Sequence, residues 1–578
     1  MTHPLAGCGV IAVLALSTPA VAQTPGNVLL IVADDVGVDG IGCYGHPNAA
    51  PTPVIDGLAA QGVRFTSAHV CPTCSPTRAS FLTGRHGFRT GVGQAIGGVG
   101  PEGLPASEVI LPEILSPANI TSALIGKWHL GTSQGVLTPT FMGFDVFTGT
   151  LQGSMSSFYQ WMKIENGQTT PTTTYATTDV VNESLEFIQA TSTPWFLIAS
   201  FNAAHSPYEA PPSHLHTQNL TGLNPQTTPI PFYKAMIEAM DTEIGRLLAS
   251  MPAATLANTT VLFLGDNGTA SQVVEAPFDP QRSKGTIYQG GVRVPMIVSG
   301  RDVGDPGRIE PSLIHAVDFF HTIAGLQGVD ARAAVPANVE LDGVDFSALL
   351  QSAGQPPVRE YLYSQRFSGT TAMSSPGDAE LMRDDRYELL RFQQQGSARE
   401  ELYDLVLDPW ETNDLLLQPL SADAEAAYAD LRNAVARLRG YAIANPFGSG
   451  CSGGGVEPVL RALGAPVIGS LFRMRVTGLT TAVSATFGSI GFDNESWLGT
   501  ALPLDLTSLG MTGCDLLVAP VSTRLLPQTT AAALWNESVP NDPSLLGLGL
   551  YLQAFVSASG ANSANALATR GLEVVVGQ

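Results

Sequence analysis

Lysine is nearly missing from this sequence: four stand in 578 residues, at Lys127, Lys163, Lys234 and Lys284. Basic residues of both kinds number 28 against 50 acidic ones, a formal net charge of −22. That deficit excludes non-specific nucleic-acid binding through bulk charge, because phosphate backbones are held by clustered Lys and Arg. An anionic substrate must instead be held by a few local cations or a metal. Charge of either sign is sparse at 13%, apolar residues reach 44%, and there are 60 Gly and 41 Pro. This composition excludes a mainly disordered chain, a coiled coil and a collagen. Long apolar runs are lacking after the N-terminus, so no later segment reads as a membrane span. The length exceeds one ordinary core, which predicts a large domain and at least one smaller one.

The one sustained apolar stretch is N-terminal. Residues 5–16 are followed by Pro19 and the small triplet Ala20-Val21-Ala22. This reads as a secretory signal peptide over residues 1–22, cleaved after Ala22, although no Lys or Arg precedes it. Leu5-Ala6-Gly7-Cys8 is similar to a lipoprotein box, but nothing apolar precedes it. The expected location is secreted or periplasmic, with attachment at the cell surface as a variant of that reading. Cysteines number six. Cys8 goes with the leader, and Cys43, Cys71 and Cys74 cluster early. Cys451 and Cys514 sit alone in the last quarter and form the natural disulfide in an exported chain. Cys71-Pro72-Thr73-Cys74 has the C-x-x-C form, with no second such pair to make a zinc site.

From Asn27 onward, NVLLIVADD, TSALIGKWHL, PWFLIASFNAAH, TTVLFLGDNG and VPMIVSG read as strands alternating with helical stretches. Their near-continuous apolar character predicts a parallel sheet buried on both faces, hence an α/β fold. The pattern changes near residue 356. YLYSQRF, YELLRFQQQ and ELYDL read as antiparallel strands, and ADAEAAYADLRNAVARLRGYA as an amphipathic helix. The expected organisation is a catalytic α/β domain over 23–355, a small α+β subdomain over 356–445, a Gly/Ser linker over 446–455 and an all-β domain over 456–578.

Two strands end in acidic or amide groups: Asp34-Asp35 after the first, and Asp266-Asn267-Gly268 after another. Ligands bind beyond the carboxyl ends of parallel strands, so two such ends can supply one oxygen-rich cation site. Oxygen donors favour Ca²⁺ or Mg²⁺ over zinc. Taken singly, each pair also fits a helix cap or turn.

The segment Cys74-Ser75-Pro76-Thr77-Arg78, followed by Leu82-Thr83-Gly84-Arg85, resembles the signature of the type I sulfatases of the alkaline phosphatase superfamily. Further elements resemble that family: Gly126-Lys127-Trp128-His129-Leu130-Gly131, His205-Ser206-Pro207, and Lys284 with the later Gly290-Gly291-Val292-Arg293-Val294-Pro295. Glu401-Leu402-Tyr403-Asp404-Leu405 and Asp408-Pro409 match its C-terminal subdomain. The likeness runs from about residue 26 to residue 444. Thr77 departs from the commoner Ser but keeps a hydroxyl.

The resemblance implies an alkaline-phosphatase-like sandwich with a mostly parallel central sheet and an exported arylsulfatase-like sulfuric ester hydrolase. Cys74 would be converted by a maturation enzyme to Cα-formylglycine. One hydroxyl of the aldehyde hydrate attacks sulfur and expels the alcohol; the other then loses its proton, releasing sulfate and restoring the aldehyde. Asp34, Asp35, Asp266, Asn267 and the modified Cys74 would form the shell of Ca²⁺, or of Mg²⁺. Arg78 would hold the hydrate ionised, and Lys127 and Lys284 would clamp sulfate, with Lys284 also assisting the leaving group. His129 would be the base for elimination and His205 would protonate the departing alcohol. The expected partner is a sulfate ester, best a sulfated polysaccharide or oligosaccharide for an exported chain with an accessory domain, with aryl sulfates also in range. Residues 151–178 and 211–231 are expected pocket walls. A phosphomonoester or phosphonate-ester hydrolase and a catalytically silent glycan-binding protein are the alternatives. His69, His86, His214 and His216 read as structural, Arg85 and Arg293 as ion-pair partners, and Cys43 and Cys71 as buried free thiols.

Overall fold

A computed structural model describes residues 25–97, 103–165, 167–369, 375–394, 397–480, 483–529 and 531–577. The expected leader and Cys8 lie outside them. A ten-stranded sheet runs, in spatial order, through Arg308–Glu310, Gly62–Phe65, Met296–Gly300, Thr259–Gly265, Asn27–Ala33, Trp195–Ser200, Thr121–Lys127, Val146–Thr150, Trp161–Glu165 and Gln168–Thr172. The five strands from Thr259–Gly265 to Val146–Thr150 are mutually parallel. Every residue of Asn27–Ala33 is buried. Val28, Leu30 and Val32 face one layer, while Leu29, Ile31 and Ala33 face the other, as the two-residue strand period requires. Helices Asp318–Leu326 and Cys74–Thr83 cover the first face; Ala176–Ala190 and Pro229–Ser250 cover the second. The fold is an alkaline-phosphatase-like α/β sandwich with a smaller α+β unit and an all-β C-terminal part.

One strand runs against expectation. Met296–Gly300, the VPMIVSG run, is antiparallel to both of its neighbours. Its burial on both faces matches that of a parallel strand, so apolar continuity alone does not give direction.

The α+β unit is a four-stranded antiparallel sheet, Leu362–Arg366, Ala379–Arg383, Tyr387–Gln394 and Ser397–Asp404. Helix Ala422–Arg439 packs on it, opened by the Ser421 hydroxyl, which accepts from the Ala424 amide. The unit reaches back to the α/β domain through Ser364 Oγ, which donates over 2.8 Å to Val70 O, just after the short strand Ala68–His69.

The C-terminal part has a six-stranded and a three-stranded sheet, with two short two-stranded ribbons, around a core that includes Met474, Trp535 and Val556. Its first strand is Ile443–Phe447, paired antiparallel with Gly571–Val575. That strand spans the expected boundary between subdomain and linker. It carries Pro446, which a sheet tolerates at its edge, where no ladder hydrogen bond is lost. Arg437 Nη2 of the preceding helix meets Glu573 Oε1 at 2.7 Å across this junction.

Cys451 and Cys514 are disulfide-bonded across 63 residues. Replacing both by serine is expected to lower the stability of the β part by about 4 kcal/mol, the loop-entropy value for such a separation. Calorimetry should then resolve a lower-melting transition that wild type shows only under reductant.

Candidate active site

The parallel strands deliver their carboxyl ends to one edge, and the chemistry is concentrated there. Asp34 and Asp35 follow Asn27–Ala33. Asp266 and Asn267 follow Thr259–Gly265. Lys127 ends Thr121–Lys127, and His205 lies just beyond Trp195–Ser200. Cys74 begins the wholly buried helix Cys74–Thr83, with Arg78 one turn further along the same face. Thr77 stabilises the entry to that helix. Its hydroxyl accepts from the Cys71 amide at 3.0 Å and lies within donating distance of Cys71 O and Thr73 O.

The groups are paired across elements. Arg78 Nε and Nη2 donate to Asp266 Oδ2 at 3.2 and 2.8 Å. Its Nη1 donates to Lys127 O at 2.8 Å and to Ser200 Oγ at 2.6 Å. Lys127 Nζ meets Asp34 Oδ2 at 2.5 Å, and Lys284 Nζ meets Asp35 Oδ1 at 2.5 Å. Asn267 Nδ2 donates to Asp35 Oδ1 at 2.8 Å. Lys284 arrives on a loop fixed by its own amide to Thr269 O and by the Gly285 amide to Pro72 O. The cysteine loop and the lysine loop are therefore tied to each other.

Burial and the neighbouring Asp266 carboxylate push the Asp34 carboxyl up, to about 6. Burial acts the same way on Asp35, but Lys284, His205 and Lys127 overcome it and hold that carboxyl at about 2. Burial pushes the Cys74 thiol up to about 12, so an unmodified Cys74 is a neutral thiol and a weak nucleophile. His129 is held down to about 2 by burial, Lys127 and Arg78, so its ring is neutral. His129 Nε2 lies 3.0 Å from Ile96 O, a pure acceptor, so the proton sits on Nε2. Its Nδ1, buried without a partner, is left with a free lone pair. His205 Nδ1 lies 2.6 Å from Ser206 O, and its Nε2 lies 3.8 Å from Asp35 Oδ2.

Two buried acceptors have no hydrogen-bond partner, Asp34 Oδ1 and Asn267 Oδ1. One ligand atom each from Asp34, Asp35 and Cys74 lies within 4.8 Å of the others. The orphaned oxygens of Asp34 and Asn267, beside the Asp35 carboxylate, fit a divalent cation; the Asp266 oxygens next to them are engaged by Arg78 and the Asp35 amide. The ten residues given catalytic or metal roles from the sequence converge on this edge.

Several neighbours went unread. Ser200 links Arg78 to the strand end, its Oγ also donating to Lys127 O at 2.7 Å. Tyr233 donates to Asp35 O at 2.9 Å and so holds the first carboxylate pair. Ser200 stands at a strand's carboxyl end, a position that flags it; Tyr233 and Ile96 carry no such signal. Gly126 has φ 110°, and a Cβ there would lie 1.9 Å from Ser200 O, so only glycine lets Lys127 turn inward at this point.

Of the residues read as structural, Arg85 pairs with Glu108 at 2.5 Å. Arg293 differs: its Nε donates to Thr66 O, and no ion pair of it occurs among the described residues. A backbone carbonyl takes the place of the expected carboxylate. Cys71 and Cys74 are free and buried, whereas Cys43 is only half-buried, being on a short surface turn.

A cavity of about 800 Å³ is lined by Thr132, Val136 and a set of residues drawn from between Thr150 and Thr173. Nothing from 211–231 lines this cavity.

Comparison with known proteins accords with this geometry. The family description "Sulfatase" matches residues 26–329, more than half of the chain. "N-sulphoglucosamine sulphohydrolase, C-terminal" matches residues 281–439. The chain is 28% identical over 357 residues to arylsulfatase J of Mus musculus, covering 58% of this chain and 58% of that protein. It is 30% identical over 396 residues to N-acetylgalactosamine-6-sulfatase of Sus scrofa, covering 61% and 70%. The crystal structure of Ps i-CgsB superposes with a TM-score of 0.60 at 25% identity, covering 71% of this chain and 91% of that one. The same protein has been solved in complex with k-i-k-neocarrahexaose. With its strand-end carboxylates, helix-borne cysteine and paired cations, the chain belongs to the sulfatase family of sulfuric ester hydrolases.

Proposed function

We propose that this chain is an exported sulfatase that hydrolyses sulfate esters of carbohydrate and, with less selectivity, of aryl alcohols. The observation that carries the reading is Cys74 at a buried helix start, with Asp34 and Asp35 in ligand range and three cations paired around it. Conversion of Cys74 to formylglycine would supply a hydrate nucleophile that a thiol held neutral by burial does not. A divalent cation, calcium by preference, held by Asp34, Asp35, Asp266, Asn267 and the modified Cys74, would supply charge for the sulfuryl oxygens.

The chain's own residues do the rest. Arg78, at the same helix face, favours the ionised form of whatever oxygen stands at position 74. Lys127 and Lys284 offset negative charge on the transferring group, in a site whose low dielectric strengthens such contacts. The free Nδ1 of His129 takes a proton, and His205, at the mouth of the site, delivers one to the leaving oxygen. The expected leader through Ala22 supports export, and no helix among the described residues is long and apolar enough to cross a membrane.

Turnover of nitrophenyl sulfate against nitrophenyl phosphate tests the reading, using protein whose Cys74 peptide has been weighed by mass spectrometry. Sulfate is expected to be strongly preferred; a preference for phosphate overturns the assignment in favour of a phosphoester hydrolase. No turnover of either by the converted protein favours the silent glycan binder.

The base role of His129 has its own test. A Cβ on Gly153 would lie 2.2 Å from the ring's Cε1 and Nε2, so Gly153→Ala must displace the imidazole from Ile96 O. Misplacement on the ångström scale costs up to about 100-fold in rate. Gly153→Ala is therefore expected to lower kcat by one to two orders of magnitude, with little change in the melting transition. Unchanged kcat would remove His129 from the mechanism.

A further inference from the structure

The cavity of about 800 Å³ adjoins this site, and none of the described residues that line it is charged. Its connection to the chemistry is through backbone. Trp128 and His129 donate their amides to Thr150 O and Leu151 O, and Gly153 packs on the His129 ring. On the far side the wall is tied to the His205 segment. Glu209 Oε2 accepts from Ser157 Oγ and from the Phe158 amide, and Tyr159 OH donates to Ala210 O. The chain segment that forms this wall is thus joined to both histidine-bearing segments, and the cavity opens beside the His129 side of the site.

Its surface combines apolar and neutral polar groups. Leu151, Met155 and Trp161 supply apolar area, and Trp161 is fixed by its indole N–H to Thr174 O at 3.0 Å. Gln152 and Gln160 supply amides. The nearest lysine in sequence, Lys163, is engaged by Asp179 and Glu183. At the reacting centre Arg78, Lys127 and Lys284 are each matched by a carboxylate. Lys127 and Lys284 are assigned to the scissile sulfate, and among the described residues that line the cavity none offers a cation to a second anionic group; the chain as a whole carries −22. An anion placed in a neutral pocket loses hydration without gaining a partner. A neutral ring of sugar size fits, its faces against apolar side chains and its hydroxyls toward amides.

We infer, on the basis of the proposed sulfatase activity, that this cavity selects esters whose alcohol part is uncharged. The substrate class is a singly sulfated, otherwise neutral glycan unit, rather than one bearing a second sulfate or a carboxylate beside the scissile ester.

The experiment compares kcat/KM of the matured full chain on a monosulfated methyl glycoside and on the same glycoside sulfated again at the adjacent hydroxyl. The monosulfate is expected to be favoured at least about tenfold, the scale set by leaving a charge unpaired in a pocket. Gln160→Lys, which places a cation on the wall, is expected to shift that ratio at least about tenfold toward the disulfate. Equal or better turnover of the disulfate by wild type, or no shift with Gln160→Lys, overturns the inference. Absence of sulfate release from every ester would overturn the activity and not the pocket. The pocket is then decided by calorimetric binding of the desulfated glycoside against its monosulfate retaining the adjacent group, where equal affinities overturn it.

Discussion

Cys74→Ala is expected to abolish sulfate release while leaving the unfolding transition close to wild type. Cys74 is buried, and its thiol makes no hydrogen bond that holds the fold together. Its neighbours are fixed by other contacts: Thr77 binds the loop before the helix, and Arg78 is anchored by Asp266 and Ser200. Losing one sulfur atom should cost about 1 kcal/mol, the ordinary effect of a single core substitution. The kinetic cost is of another order, because a methyl group offers neither a nucleophile nor a metal ligand. A fall in kcat of more than about 100-fold, over about 2.7 kcal/mol of activation free energy, is the minimum expected. Retention of more than about a hundredth of kcat, with an unchanged circular dichroism melt, would show that the nucleophile lies elsewhere.

Most of this site was legible because its chemistry sits in short motifs at strand ends. Asp34-Asp35, Lys127 to His129 and Asp266-Asn267 each end a run of buried apolar residues, and a parallel sheet brings such ends to one edge. What was illegible depends on tertiary approach. Gly153 looks like any loop glycine until the His129 ring is found against it. Lys127 reads as a sulfate clamp, and its full burial and its bond to Asp34 have no signal in the sequence. Strand direction was hidden for Met296–Gly300, since an antiparallel strand covered on both faces carries the same residues as a parallel one. Ala379–Arg383 escaped notice because it lies just beyond a Gly/Ser-rich stretch and is only five residues long. Pro446-Phe447 resembles the start of a linker through its Pro and the Gly-rich run after it, yet edge pairing with Gly571–Val575 makes it the end of a strand.

Asp266→Ala should be the more damaging change to the molecule, because this carboxylate serves two groups at once. Its Oδ2 takes two N–H groups of Arg78, its Oδ1 accepts the Asp35 amide at 3.2 Å, and both members of the ion pair are fully buried. Removing one partner of a buried pair leaves the other charge without compensation, at about 3–5 kcal/mol. The guanidinium is still held by Lys127 O and Ser200 Oγ, so the lower part of that range is expected. Asp266 is also a proposed ligand of the divalent cation, and its loss would remove a full negative charge from that set. Elemental analysis of wild type should find calcium or magnesium, and added calcium should raise its melting temperature by mass action. The variant should lose the bound ion, the calcium response and sulfate release together, and should melt several degrees lower. Asp266→Asn separates the two roles. Its amide oxygen can still accept from Arg78 in nearly the same volume, so less stability is lost, while the missing charge should still empty the cation site. Full calcium content in either variant would take Asp266 out of the metal shell. Equal melting temperatures for Asp266→Ala and wild type would show that Arg78 does not depend on this carboxylate.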